Sequence, residues 1–156
     1  MPEVPGSVSK DEYKIERYKY ILQQLSNLNE NVHKYLSLYQ TLATAITGGC
    51  IAVFVSWKTL QINAEVAKVG IRGLLGLFII LTIYILFSII VGIISWIDYR
   101  KEEVELLDRE VEIGFRKPPK EINFWRWSES YLIAFLLIVL IVVYVFVEYK
   151  VLPLIK

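Results

Sequence analysis

The sequence of 156 residues is poor in the residues that build metal centres and disulfides, because it contains one cysteine, Cys50, and one histidine, His33. A single cysteine excludes a disulfide framework within the chain, and the apolar neighbours of Cys50 favour a small buried side chain. One histidine without a second ligand excludes a transition-metal site built from one chain. We therefore expect neither a metal nor another cofactor.

An excess of charge of either sign is also missing, since 17 Lys and Arg residues against 16 Asp and Glu residues give a formal net charge of +1. A chain with so little net charge creates no large electrostatic field that would attract a polyanion, which argues against a nucleic-acid partner. The G-x-S-x-G, H-E-x-x-H and Walker motifs of common enzymes are missing as well. We expect a protein that is not an enzyme.

Formal charge is absent from two long apolar stretches, residues 74–97 and 130–147. Apolar runs of about 18 residues or more indicate transmembrane helices. A weaker apolar stretch, residues 40–58, is rich in threonine and glycine in its first half. The sequence therefore predicts an all-α integral membrane protein with spans over residues 40–58, 71–97 and 130–148.

The residues that flank these spans predict their orientation. Tryptophan prefers the membrane–water interface, and we expect four tryptophans to anchor the span ends: Trp57, Trp96, Trp125 and Trp127. Lysine and arginine are concentrated before the first span and between the second and third spans. Because such residues favour the cytoplasmic side, we expect a multi-pass protein of the inner cell membrane with a cytoplasmic N-terminus and an external C-terminus.

The segment before the first span carries a heptad pattern. Residues 1–9 are expected to form a flexible leader, and residues 10–39 a cytoplasmic amphipathic helix. Its apolar seam alternates spacings of three and four and drives oligomerisation in our interpretation: Ile15, Tyr18, Leu22, Leu25, Asn29, Val32 and Leu36. A polar cluster at residues 26–31 leaves open a helical hairpin, but the unbroken heptad phase favours one continuous helix.

The second span is expected to continue into the cytoplasm as a charged helix. Residues 98–113 contain neither proline nor glycine, so the pattern predicts one helix from Gly73 to Ile113. Gly114 is a natural helix stop. Residues 114–129 are expected to form a linker and an interfacial segment.

Small and hydroxyl residues form a row on each of the first two spans. The rows are Thr44, Gly48, Gly49 and Ala52 on the first span, and Tyr84, Ser88, Gly92 and Ser95 on the second. Small residues at helical spacing let two helices approach closely. We expect the rows either to pack these spans together within one chain or to line a narrow, weakly polar pathway in an oligomer.

The layout from Lys10 to Gly114 resembles the SLATT architecture. It combines a cytoplasmic helix, a weakly apolar first span, a short outer loop and a long second span that continues into a charged helix. SLATT proteins are small bacterial two-span membrane proteins that occur with defence genes based on nucleotide second messengers and are proposed to form pores. The resemblance implies a membrane-permeabilising effector in antiviral defence, and the third span lies outside it.

Two functions are compatible with these features. The first is a homo-oligomer in the lipid bilayer that acts as a channel-like or membrane-permeabilising effector. The alternative is a non-conducting scaffold or accessory subunit, whose helix faces are covered by a cytoplasmic or membrane partner protein.

Overall fold

A computed structural model describes residues 10–119 and 127–156 of the chain, and within these residues the fold contains helices and no strand. The elements are α1 (Lys10–Leu60), α2 (Ala64–Glu110), α3 (Ser128–Phe146), a π-helical turn (Val147–Val151) and a 3-10 turn (Leu152–Leu154). All three long helices are long and apolar enough to cross a membrane. The all-α architecture expected from the sequence is confirmed.

Helix α1 joins the predicted cytoplasmic helix and the predicted first span without interruption. It contains 51 residues, which corresponds to about 77 Å of helix at 1.5 Å per residue. The polar cluster at residues 26–31 lies inside the helix and does not break it. A helix this long exceeds the 30 Å or so of a bilayer's hydrocarbon core more than twofold.

Helix α2 starts earlier and ends earlier than the pattern predicted, at Ala64 rather than Gly73 and at Glu110 rather than Ile113. The early start is fixed by Asn63, whose side-chain oxygen accepts a hydrogen bond from the backbone N–H of Glu65 at 2.8 Å. Such a cap satisfies one of the free N–H groups at a helix start. Only a three-residue turn therefore separates α1 from α2.

The chain leaves α2 through a compact turn at Gly114. This residue has a φ of +84°, which glycine adopts without the steric cost that a side chain would add. Its backbone N–H donates a hydrogen bond to the carboxylate of Asp108 at 2.9 Å. Gly114 thus ends the helical region as expected, although regular α-helix stops a few residues before it.

Helices α1 and α2 pack antiparallel along almost their whole length, as a short connection requires. Near the turn, a Cβ atom added to Gly49 would meet the Leu74 side chain at 3.3 Å. Further along, the Tyr39 hydroxyl lies 3.4 Å from the Thr82 hydroxyl. At the far end, Lys14 pairs with Glu110. These contacts fix the register of the hairpin.

Helix α3 packs against α2 and runs antiparallel to it. Its residue Leu136 belongs to a central cluster of buried side chains: Tyr39, Phe78, Ile85, Ile89, Ile93 and Leu136. The C-terminal turns fold onto the first part of α2 in a second cluster: Ala67, Ile71, Leu75, Val147, Leu152 and Ile155. Close van der Waals packing in these clusters holds the helices together.

Candidate functional site

The apolar runs of α1 and α2 are staggered along the hairpin. The uncharged run of α2 covers residues 73–97, and that of α1 covers residues 35–57. Yet Tyr39, near the N-terminal end of the α1 run, contacts Phe78 and Thr82 in the first half of the α2 run. Consequently the second half of the α2 run lies beside α1 residues that precede Tyr39.

Charged residues of α1 therefore lie at the level of the apolar run of α2. The segment Leu28–Val32 faces Gly92, Ile93 and Trp96 across a cavity of about 200 Å³. Because Tyr39 lies beside Thr82, Glu30 and Lys34 fall between the levels of Trp96 and Thr82. Both residues belong to the segment 10–39 that the sequence predicts to be cytoplasmic.

A stripe of polar and small residues covers the face of α1 that is turned away from α2. The side chains packed toward α2 include Ile21, Leu25 and Tyr39, all of them buried. On the opposite face, spacings of four and three residues align a set of exposed positions that we call the polar stripe: Glu30, Lys34, Ser37, Thr41, Thr44 and Gly48. The stripe runs from the level of Trp96 to beyond the middle of the α2 apolar run.

The chemistry of the polar stripe changes along its length. At its inner end the Lys34 ammonium lies 3.7 Å from the Glu30 carboxylate, and their side chains are 70% and 62% exposed. Further along, the hydroxyls of Thr41 and Thr44 donate to backbone carbonyls one turn earlier, at 2.9 and 2.8 Å. Each hydroxyl oxygen can still accept hydrogen bonds. The stripe can therefore bind water along most of its length.

A cleft separates α1 from α3, with α2 as its floor. Two adjacent cavities of about 510 and 710 Å³ lie along it, and Thr47 and Ile51 line both of them. Apart from threonine, glutamine and cysteine, the lining is hydrophobic. A groove of this size and polarity can accept an apolar helix or a lipid chain.

The predicted row on the first span is split between two surfaces. Thr44 and Gly48 line the larger cavity of the cleft and belong to the polar stripe. Ala52 is exposed. Gly49, by contrast, faces Leu74 of α2, whereas a side chain at Gly48 would meet no atom within 4 Å. The adjacent glycines thus serve different contacts: Gly49 packs the hairpin, and Gly48 is free for another molecule.

The predicted row on the second span does not join the stripe. Tyr84 is exposed on another side of α2, and Ser88 donates its hydroxyl proton to the Tyr84 carbonyl at 2.9 Å. Neither these residues nor Ser95 line the cavities of the cleft, although Gly92 lines the cavity at the inner end. The structure therefore brings Thr44 and Gly48 of the first row together in the cleft but does not join the two rows.

The heptad seam of α1 is divided in the same way. One half of the seam is turned toward α2: Tyr18, Leu25 and Val32. Three other seam residues are exposed, Ile15, Leu22 and Asn29, whereas Leu36 is partly buried and lines the cleft toward α3. Leu25 is only 8% exposed, whereas Leu22 is 39% exposed. Packing within the chain thus uses half of the predicted oligomerisation seam and leaves the other half accessible.

Ion pairs hold the hairpin together beyond the apolar runs. The Lys14 ammonium lies 2.5 Å from the Glu110 carboxylate, and Arg17 donates from Nε to Glu102 at 2.8 Å. These hydrogen bonds to carboxylates raise the pKa of Lys14 and the pKa of Arg17 above their ordinary values. The two ion pairs connect the start of α1 to the end of α2.

A buried carboxylate closes the same end of the molecule. Glu103 is fully buried and accepts hydrogen bonds from Arg100 at 2.5 Å and from Arg116 at 2.7 Å. The charged helix that the sequence predicts over residues 98–113 thus contains a carboxylate that is buried. The three-residue spacing between Arg100 and Glu103 is a signal for that ion pair. The ion pair with Arg116 has no periodic signal, because a turn lies between the two residues.

Two of the predicted interfacial tryptophans pack against each other. The rings of Trp96 and Trp127 meet edge to face, with centroids 5.4 Å apart, and so join the start of α3 to α2. Trp57 packs against Phe54 at the other end of the hairpin, with centroids 5.7 Å apart. Trp125 lies outside the described residues.

Comparison with known proteins adds no further assignment. No protein family, curated protein or solved structure matches this chain. The resemblance to SLATT proteins therefore stays a prediction from the layout of the sequence. The functional interpretation rests on the polar stripe, the cleft and the exposed half of the seam.

Proposed function

We propose that this protein is a homo-oligomeric membrane channel, in which the polar stripes of several copies face one another and line a path for water and ions. The observation that carries the proposal is the position of Glu30 and Lys34 at the level of the α2 apolar run, exposed on a single chain. Charged side chains at membrane depth cost about 2.5–3.5 kcal/mol on insertion scales, and they usually face a protein interior or a water-filled cavity.

The proposed membrane position follows from the two ends of the hairpin. Trp96 and Trp127 lie at the cytoplasmic interface, and the ion pairs of Lys14, Arg17 and Glu103 stand in the cytoplasm. The turn between α1 and α2 lies on the outer side, together with the C-terminal turns. This placement agrees with the distribution of lysine and arginine, which favours a cytoplasmic N-terminus and an external C-terminus.

Several copies are needed because one helix cannot enclose water. Helices α2 and α3 cover only the inward face of α1, so the polar stripe of a single chain would contact lipid. Copies arranged around a common axis turn these stripes toward one another, and Thr44 and Gly48 allow close approach at the outer part. The layout shared with SLATT proteins suggests that such a channel acts as a membrane-permeabilising effector in antiviral defence.

The alternative of a non-conducting scaffold is favoured by the cleft between α1 and α3. A partner helix inserted there would cover Thr44 and Gly48 from one side and would extend the buried cluster around Leu136. In that case the stripe would contact the partner protein and would not enclose water.

Purification in detergent, followed by mass measurement and by ion flux in vesicles, tests the proposal. We expect a discrete homo-oligomer that makes vesicles permeable to small ions. A monomer, or an oligomer that leaves the vesicles tight, would contradict the channel and favour the scaffold.

A further inference from the structure

The polar stripe contains two formal charges, and they have opposite signs. Glu30 and Lys34 are one helical turn apart, so both project on the same face of α1, and their charged atoms are 3.7 Å apart. The remaining stripe positions, Ser37, Thr41, Thr44 and Gly48, are uncharged. Any field along the stripe at the level of the apolar runs is therefore set by one pair of residues.

The neighbouring elements add little to this field. The apolar run of α2, residues 73–97, contains no formally charged residue, and neither does the run of α3, residues 130–147. Among the described residues, His33 adjoins the pair in the sequence of α1, and Glu129 of α3 lines the cavity that Leu28 and Asn29 also line. Glu30 and Lys34 are thus the charged residues of the stripe, and its other positions carry no charge.

We infer that Glu30 and Lys34 determine which ions the proposed channel passes. Because their charges are opposite, the channel passes small cations and small anions alike. The inference rests on the proposed function. Rings of carboxylates favour cations and rings of lysines favour anions, so a ring of each sign, one helical turn apart, favours neither strongly. Removing one member of the pair leaves a ring of a single sign.

The single changes Lys34→Gln and Glu30→Gln should therefore shift selectivity in opposite directions. Two unit charges about 4 Å apart in a watery environment interact strongly enough for a roughly fivefold effect on a permeability ratio. We expect Lys34→Gln to raise the ratio of potassium to chloride permeability by about that factor, and Glu30→Gln to lower it by a similar factor. Both changes remove a charge from a span, so they should not hinder insertion.

The test is the reversal potential of the reconstituted protein in a planar bilayer under a potassium chloride gradient. The wild type should reverse near zero, whereas the reversal potential of Lys34→Gln should move toward the potassium equilibrium potential and that of Glu30→Gln toward the chloride equilibrium potential. The double variant Glu30→Lys with Lys34→Glu keeps one charge of each sign and should resemble the wild type.

The possible failures are distinguishable. If the wild type conducts ions and both single variants keep its reversal potential, the inference is wrong and the proposed channel still stands. Wild-type protein that conducts no ions would overturn the proposed function and the inference together. A double variant as selective as either single variant would also contradict the inference, because the sign of the charge would then not set the selectivity.

Discussion

The two faces of α1 repeat with the same period but carry opposite chemistry. The inward face buries Ile21, Leu25 and Tyr39 against α2, and these contacts account for the hairpin. The outward face exposes Glu30, Lys34 and a row of hydroxyl and glycine positions. Packing within one chain explains the first face and leaves the second without a function, which is why the outward face points to other copies.

The largest expected effect comes from the adjacent glycines, which divide the two faces. We expect Gly48→Leu to abolish ion flux in vesicles, because the added side chain blocks the approach of neighbouring stripes. Since no atom lies within 4 Å of a Cβ at this position, the single chain should keep its thermal stability. Flux and thermal denaturation in detergent measure the two effects.

The matched control is Gly49→Leu, one residue away on the inward face. Its side chain would crowd Leu74, and overpacking of this kind costs about 1–3 kcal/mol. We expect lower thermal stability in this variant. If both glycine variants changed flux and stability alike, the division of α1 into two faces would be wrong.

The next largest effect concerns the heptad seam. Leu25→Asp places a carboxylate in the buried α1–α2 contact and should cost at least about 3 kcal/mol of stability. Leu22→Asp changes a side chain that is 39% exposed. It should reduce the mass of the detergent-solubilised oligomer while thermal unfolding stays close to that of the wild type. An unchanged mass for Leu22→Asp would mean that the exposed half of the seam takes no part in assembly.

The smallest effect is expected on α2. Ser88→Leu alters a residue whose hydroxyl is bonded to its own helix and which lies outside the cleft. Ion flux should therefore remain close to that of the wild type. A loss of flux as large as that of Gly48→Leu would show that α2 lines the pathway, as the sequence pattern allowed.

Much of the fold could be predicted from the sequence, because helix formation in an apolar run depends on local composition. The three helices, the continuity of α1 through its polar cluster and the stop at Gly114 all follow from periodicity and from the placement of glycine. The pairing of Glu103 with Arg116 could not be predicted, since it depends on how a turn folds back in space.

The stagger of the apolar runs could not be predicted from hydropathy, for a different reason. Hydropathy locates each run by itself, but the register of two antiparallel helices is set by the position of the turn between them. Asn63, followed two residues later by Glu65, has the features of a helix cap. A helix that starts at this cap leaves only Gln61–Asn63 as the loop, and so short a loop places Tyr39 beside the α2 run.

The most direct test of the central claim is the accessibility of the polar stripe to water. In a Cys50→Ser background, single cysteines are introduced by Ser37→Cys and Thr44→Cys on the stripe, and by Ile80→Cys on an exposed, apolar part of α2. The thiolate, which forms in an aqueous environment, attacks an electrophilic, membrane-impermeant thiol reagent. The account predicts that both stripe cysteines react in membranes and that their modification blocks ion flux, whereas the cysteine at position 80 does not react. Stripe cysteines as unreactive as the one at position 80 would contradict it.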